Sequence, residues 1–197
     1  MFDAALRRLI DPPLDQVAGG LARAGIGPNA VTLVGAGVGI AAACAIAWSG
    51  FAIGLVLILL NRIMDGLDGA IARRSGATPW GGYLDSIADY IFYIAVPLGF
   101  AAAAPDNLWP ALLLLASFTL TAVSFLALAA IMAGRDLGHG EKAFTYSTGL
   151  MEGGETIGFF IAMCLLPHWF PQLAIIFALL CVATVGQRLL LAHRLLR

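Results

Sequence analysis

The chain predicts an all-α integral membrane protein, six transmembrane helices preceded by an amphipathic helix lying on the membrane surface, with both termini cytoplasmic. Three observations carry this. Of its 197 residues 60% are hydrophobic and 12% charged, against roughly 25% charged in soluble domains. Six apolar runs approach the ~20 residues that cross a bilayer. The basic residues, finally, fall into one set of connections and are missing from the other. The net charge of -1 says little, because in a membrane the position of each charge matters more than the sum.

The N-terminal 29 residues form the juxtamembrane segment. Phe2, Ala5, Leu9 and Ile10 recur at helical spacing beside Arg7 and Arg8, the pattern of a helix lying in the interface. Arg7, Arg8, Asp11 and Asp15 interrupt the window where a secretory signal would be apolar, so no cleavage is expected. Pro12 and Pro13 are expected to break this helix. A second amphipathic piece, 14–21, then leads to the turn Gly25-Ile26-Gly27-Pro28-Asn29.

The spans follow at roughly 30–48, 51–73, 83–104, 109–133, 145–166 and 172–192, and with no soluble insertion between them 30–197 reads as one six-helix domain. Gly35-Ala36-Gly37-Val38-Gly39 has no strand before it, so it reads as close helix packing through small residues rather than a dinucleotide loop. Cys44, Cys164 and Cys181 lie in apolar runs without zinc or redox spacing and read as small buried hydrophobes. Arg7, Arg8, Arg23, Arg73, Arg74, Arg135, Lys142, Arg194 and Arg197 belong to the N-terminus, 74–82, 134–144 and the C-terminus, or to their edges. The connections at 49–50, 105–108 and 167–171 contain no Lys or Arg. The positive-inside rule therefore places both termini in the cytoplasm. Arg62 and Arg188 are the basic residues within spans, each in the cytoplasmic half.

The stretch NRIMDGLDGAIARRSGATPWGGYLDSIADY, residues 61–90, carries the chemistry. Asp65 and Asp68 are three apart and share a helix face; Asp85 and Asp89 are four apart and share another. A short turn containing Gly76 and Pro79 makes the two helices antiparallel neighbours, so four carboxylates converge. Asp65 lies roughly 12 Å along its helix from Arg73 at ~1.5 Å per residue, within reach of a cytoplasmic solute. Each acidic residue at mid-bilayer costs about 2.5–3.5 kcal/mol, so the cluster needs compensation. Helix capping, or pairing with Arg62, Arg73 and Arg74, explains Asp85 more readily than Asp65. Asp65-Gly66-Leu67-Asp68-Gly69 lacks the ligand alternation and final Glu of a calcium loop. An oxygen-only set suits Mg²⁺ or Mn²⁺, and two carboxylate pairs suit a two-ion site that clamps a phosphoryl group. Gly69 and Ala72 leave room for a ligand beside the aspartates, and Arg73 can bind phosphate at the mouth.

Asp65-x2-Asp68-Gly69-x2-Ala72-Arg73, seven residues, then Gly81-x3-Asp85-x3-Asp89 resembles the signature of the CDP-alcohol phosphotransferase family at all eight positions. The spans, the interfacial helix and Pro28-Asn29-x2-Thr32 extend the likeness over most of the chain. The resemblance implies transfer of a phospho-alcohol group from a CDP-linked donor to an acceptor hydroxyl, with release of CMP. It implies Asp65, Asp68 and Asp85 as metal ligands, and Asp89 as a further ligand and general base. Asp68, Gly69, Ala72, Arg73 and Gly81 would hold the cytidine nucleotide. It also implies CDP-diacylglycerol as donor, a small alcohol as acceptor, an inner membrane location with the site facing the cytoplasm, no nucleic-acid partner, and the homodimers that members often form through spans outside the site.

The acceptor is left open. Arg135, His139, Lys142 and Arg188 make a basic set suited to glycerol 3-phosphate or inositol phosphate, or are ordinary positive-inside residues. Glu152 and Glu155 lie three apart in the fifth span. They bind acceptor hydroxyls or an amine, anchor Arg188, or form a helix-stabilising salt bridge. His139, His168 and His193 read as interfacial. Two rival functions are a non-enzymatic cation transporter or channel, disfavoured by the apolar far halves of spans two and three, and an intramembrane transferase using prenyl diphosphates, disfavoured by span count and motif.

Overall fold

The computed structural model of the chain describes residues 2–134 and 153–196, and among these there is no strand. They belong to two compact units, Met1–Pro105 and Asp106–Arg197.

The first unit contains α1 (Phe2–Arg23), α2 (Pro28–Ala47), α3 (Phe51–Ser75) and α4 (Pro79–Ala103). α2 is the central element, packed along both α3 and α4. It starts on Pro28, whose fixed φ and missing N–H suit a first turn. Thr32, Gly35, Gly39, Ala42, Ala43 and Ile46 form its buried stripe, while Leu33 and Val34 point outward. Small residues bring the helices close. A Cβ on Gly39 would lie 3.1 Å from the Phe92 ring of α4 and 3.2 Å from the Asn61 amide of α3. One on Gly99 would lie 2.5 Å from the Ala43 carbonyl oxygen. The expected packing role of the 35–39 stretch therefore holds at Gly35 and Gly39, whereas Gly37 faces open space. Cys44 is exposed, unlike Cys164 and Cys181: it falls just off the stripe through Ala43 and Ile46, and so faces where lipid would be.

Two boundaries differ from the sequence expectation. α1 is continuous through Pro12 and Pro13. Both prolines are exposed, so neither ring is wedged against a neighbouring helix. Beyond them, Leu14, Ala18 and Leu21 dock against Val31, Met64, Leu67, Ala70 and Ile71, which holds the helix on course. α4 begins at Pro79 rather than 83, because the Thr78 hydroxyl accepts the Gly81 N–H at 3.0 Å and Pro79 occupies the first turn. Gly76, at φ +97°, ends α3. The link is thus 76–78, and Gly81 becomes a helical residue.

The second unit contains α5 (Leu108–Gly134), α6 (Gly153–Leu165) and α7 (Phe170–Leu196), with 3₁₀ turns at Pro105–Asn107 and Pro167–Trp169. α5 packs along α7. Phe118 meets Phe177 edge to face at 5.2 Å and Phe160 at 6.4 Å, and Phe159 stacks on Phe177 at 4.5 Å.

Pro28–Ala47, Pro79–Ala103, Pro105–Ala133 and Pro167–Leu196 are long and apolar enough to cross a membrane, so the chain is an integral membrane protein. α3 has 25 residues but loads its C-terminal half with charge. α6, with 13 described residues, is roughly 20 Å long at ~1.5 Å per residue. Trp48, Trp109 and Trp169 are 87%, 74% and 60% exposed and border the connections that carry no Lys or Arg, the usual place for interfacial tryptophans.

Candidate active site

The acidic side chains of α3 and α4 meet beside the first two turns of α2. Asp65 and Asp68 come from α3 and Asp85 from α4. One carboxylate oxygen from each lies within 4.8 Å of the other two. Asp68 is 5% exposed and is oriented by Thr32 of α2, whose hydroxyl donates to its Oδ2 at 2.6 Å. The three carboxylates line a hollow of about 10 Å³ together with Thr32, Gly35 and Asn61, space for roughly one water-sized sphere. Such a donor set fits a hard divalent cation, since it is all oxygen, comes from two rigid helices, and surrounds a hollow of ionic size.

Asp89 lines the same hollow but stands outside the close trio. Its Oδ1 accepts from Arg62 Nη1 at 3.0 Å, and the same nitrogen lies 3.6 Å from Asp65 Oδ2. The expected convergence of four carboxylates is thus three in a tight group and a fourth joined to it through an arginine.

A larger cleft, about 280 Å³, shares Thr32, Asp68 and Asp85 with this hollow. Gly69, Ala72 and Gly81 line it, with Asn29 and Thr78. A side chain at 81 would meet the Thr78 hydroxyl at 3.1 Å and the Asn29 amide oxygen at 3.2 Å, so small residues keep this cleft open. Arg73 is not among the lining residues; its guanidinium reaches toward Asp15 of α1 at 4.0 Å and is 60% exposed.

Of the residues considered for the acceptor, Arg135, Lys142 and Glu152, like His139, lie outside the described residues. Glu155 stands in the first turn of α6. Arg188 is buried in the second unit, where it donates to the Thr121 carbonyl at 2.8 Å and the Ser124 hydroxyl at 3.2 Å, with its guanidinium 5.5 Å from the Phe125 ring centre. Sequence reasoning named Arg62 as a partner for the aspartates and Thr32 as part of the family likeness, but gave Asn61 no role and did not join Thr32, Asn61 and Arg62 to the site as a working set. Their signal was present. Arg62 precedes Asp65 by three, which is a helix-surface pairing distance.

Residues 26–188 match the family model for CDP-alcohol phosphatidyltransferase. The chain is 44% identical over 192 residues to the inner membrane protein YnjF of Escherichia coli K12, covering 95% of this chain and 93% of that one. It is 33% identical over 117 residues to an archaetidylinositol phosphate synthase of Methanothermobacter thermautotrophicus, covering 59% and 56% of the two chains. Among solved structures it resembles Mycobacterium tuberculosis phosphatidylinositol phosphate synthase at 25% identity. Against the form with CDP-DAG bound the TM-score is 0.72, over 89% of this chain and 91% of that one. Against the manganese and citrate complex it is 0.71, over 89% and 87%. With seven of the eight signature residues lining a cation-sized hollow or a cleft, and with this match over most of its length, the chain belongs to the CDP-alcohol phosphatidyltransferase family and is a metal-dependent transferase of phospholipid synthesis.

Proposed function

We propose that the chain transfers a phosphatidyl group from CDP-diacylglycerol to the hydroxyl of a small phosphorylated alcohol, of the inositol phosphate or glycerol 3-phosphate type, releasing CMP. One observation carries the reading: Thr32, Asp68 and Asp85 form a wall common to the cation-sized hollow and the larger cleft. A metal in the hollow and a nucleotide diphosphate in the cleft would therefore touch across the same carboxylates. The relatives named as inositol phosphate lipid synthases favour the acceptor class.

In this scheme Asp65, Asp68 and Asp85 hold Mg²⁺ or Mn²⁺, in one or both positions of a two-ion site. The bound cation supplies charge neutralisation for the diphosphate. Asp89 takes the proton of the acceptor hydroxyl, whose oxygen forms a bond to the phosphorus carrying the diacylglycerol. The P–O bond to the other phosphate breaks, and CMP leaves with the electron pair. Gly69, Ala72 and Gly81 leave space for the cytidine. Arg73 meets the phosphates once they displace Asp15 from its guanidinium. Arg188, with Arg135, Lys142, Glu152 and Glu155, serves the acceptor.

Residues 1–29 act as the interfacial segment and 30–197 as a catalytic domain of six spans, α3 and α6 being the two beyond the four most apolar helices. The confinement of Lys and Arg to one set of connections supports a cytoplasmic position for both termini and for the site, in the inner membrane. A homodimer formed through spans outside the site belongs to the same reading.

Protein purified in detergent with CDP-diacylglycerol and Mg²⁺ or Mn²⁺ is expected to release CMP with inositol phosphate or glycerol 3-phosphate, and less with inositol, serine or an amino alcohol. Identification of the lipid product by mass checks this. An absence of CMP across the whole panel overturns the activity, and CMP release with serine alone overturns the acceptor class. Thr32→Val should keep the fold but weaken Mn²⁺ binding about tenfold, the usual penalty for removing a group that orients a ligand. Unchanged affinity would contradict the role given to Asp68.

A further inference from the structure

Arg62 is a cation that the reaction scheme above does not use, yet it is held from every side. Its Nε and Nη2 donate to the Asn61 side-chain oxygen at 2.9 and 2.6 Å. Asn61 in turn donates from Nδ2 to the Gly35 carbonyl at 2.8 Å, so its oxygen is fixed toward the guanidinium. The guanidinium lies 4.3 Å from the centre of the fully buried Phe92 ring, in cation–π range. Only Nη1 is left to point into the hollow, between Asp89 Oδ1 at 3.0 Å and Asp65 Oδ2 at 3.6 Å.

Asp65 therefore takes part in two groupings: the close trio with Asp68 and Asp85, and a pair with Asp89 that is joined through Arg62. A second divalent ion would share Asp65 with the first and take Asp89 as a carboxylate of its own. Arg62 Nη1 already stands between those oxygens. We propose that Arg62 is a built-in counter-cation at the second-ion position. The trio binds one ion without hindrance, and a second ion enters only by competing with the guanidinium for Asp65 and Asp89. Because Asn61 and Phe92 hold the competitor in place, the two ions bind with unequal strength. The inference rests on the reading of Asp65, Asp68 and Asp85 as metal ligands.

The test adds Mn²⁺ alone, in steps, to the purified full-length protein, with free Mn²⁺ followed by electron paramagnetic resonance. The unmodified chain is expected to bind one ion tightly and a second at least tenfold more weakly. In Arg62→Met the second ion should tighten by tenfold or more while the first changes little. The melting temperature should also respond more to added Mn²⁺ than in the unmodified chain, because Asp65 and Asp89 lose their resident partner. Arg62→Lys, which keeps the charge but loses the fork, should fall between the two, and it carries the test if Arg62→Met does not fold. A second-ion affinity unaltered in both variants overturns the role of Arg62 and leaves the trio intact. Two ions bound equally tightly by the unmodified chain overturn it as well. An unmodified chain that binds no Mn²⁺ overturns the metal-site reading itself, and this proposal with it.

Discussion

Asp68→Asn is expected to abolish CMP release in practice, lowering turnover by about a thousandfold or more, or ~4 kcal/mol of transition-state stabilisation. The amide has nearly the shape of the carboxylate, so packing in the buried site should survive. What it loses is the charge on the wall between hollow and cleft, where a cation and a diphosphate would be held together. The Thr32 hydroxyl can still donate to the amide oxygen, so a folding defect is not the expected cause. Turnover and Mn²⁺ binding measured on one preparation separate the possibilities. Asp68→Asn should lose both; Asp89→Asn should lose turnover while keeping the tight ion. An Asp68→Asn protein with near-normal CMP release would contradict the assignment of Asp68, and full turnover by Asp89→Asn would do the same for the general base.

Gly99→Leu is expected to produce the largest structural effect. A Cβ there would sit 2.5 Å from the Ala43 carbonyl oxygen and 3.1 Å from its Cα. These are backbone atoms of a neighbouring helix and cannot rotate away, so α2 and α4 must separate. Overpacking of this kind costs about 3 kcal/mol. It should also lower activity, because Thr32 on α2 and Asp85 on α4 would be displaced together. Gly37→Leu is the matched control: nothing lies within 4 Å of its Cβ position, so melting in detergent should hardly change. A Gly99→Leu protein that melts with the unmodified chain would show that the helices do not depend on this approach.

The signature helices were legible because their residues break a rule: carboxylates in apolar helices are costly enough to require a purpose, and the spacing gives their faces. Gly69 and Ala72 were placed beside a ligand by their small size and Gly81 by the family likeness, and all three line the cleft. What the sequence did not reveal was the third helix. α3 and α4 were expected to be antiparallel neighbours, yet their main packing partner is α2, which supplies Thr32 to Asp68 and the Gly35 carbonyl to Asn61. Such contacts depend on helix rotation about a common neighbour, and apolar lipid-facing surfaces leave only a faint periodic signal to fix it. The fate of Arg73 was also hidden, because its partner Asp15 lies on a helix that the prolines were expected to break. The acceptor residues remain furthest from view, with Arg135, Lys142 and Glu152 outside the described residues.

The wall formed by Thr32, Asp68 and Asp85 has a consequence for the order of events. On the proposed function, a nucleotide diphosphate entering the cleft comes up against the carboxylates that also face the hollow. Before a cation arrives, that wall repels the donor; afterwards it attracts it. Binding is then sequential by electrostatics alone, cation first and donor second, with no moving lid required. CMP keeps about the same charge as the donor's doubly esterified diphosphate but offers one phosphate group instead of two, so it can hold a cation through fewer oxygens and the reaction itself loosens the grip on its leaving product.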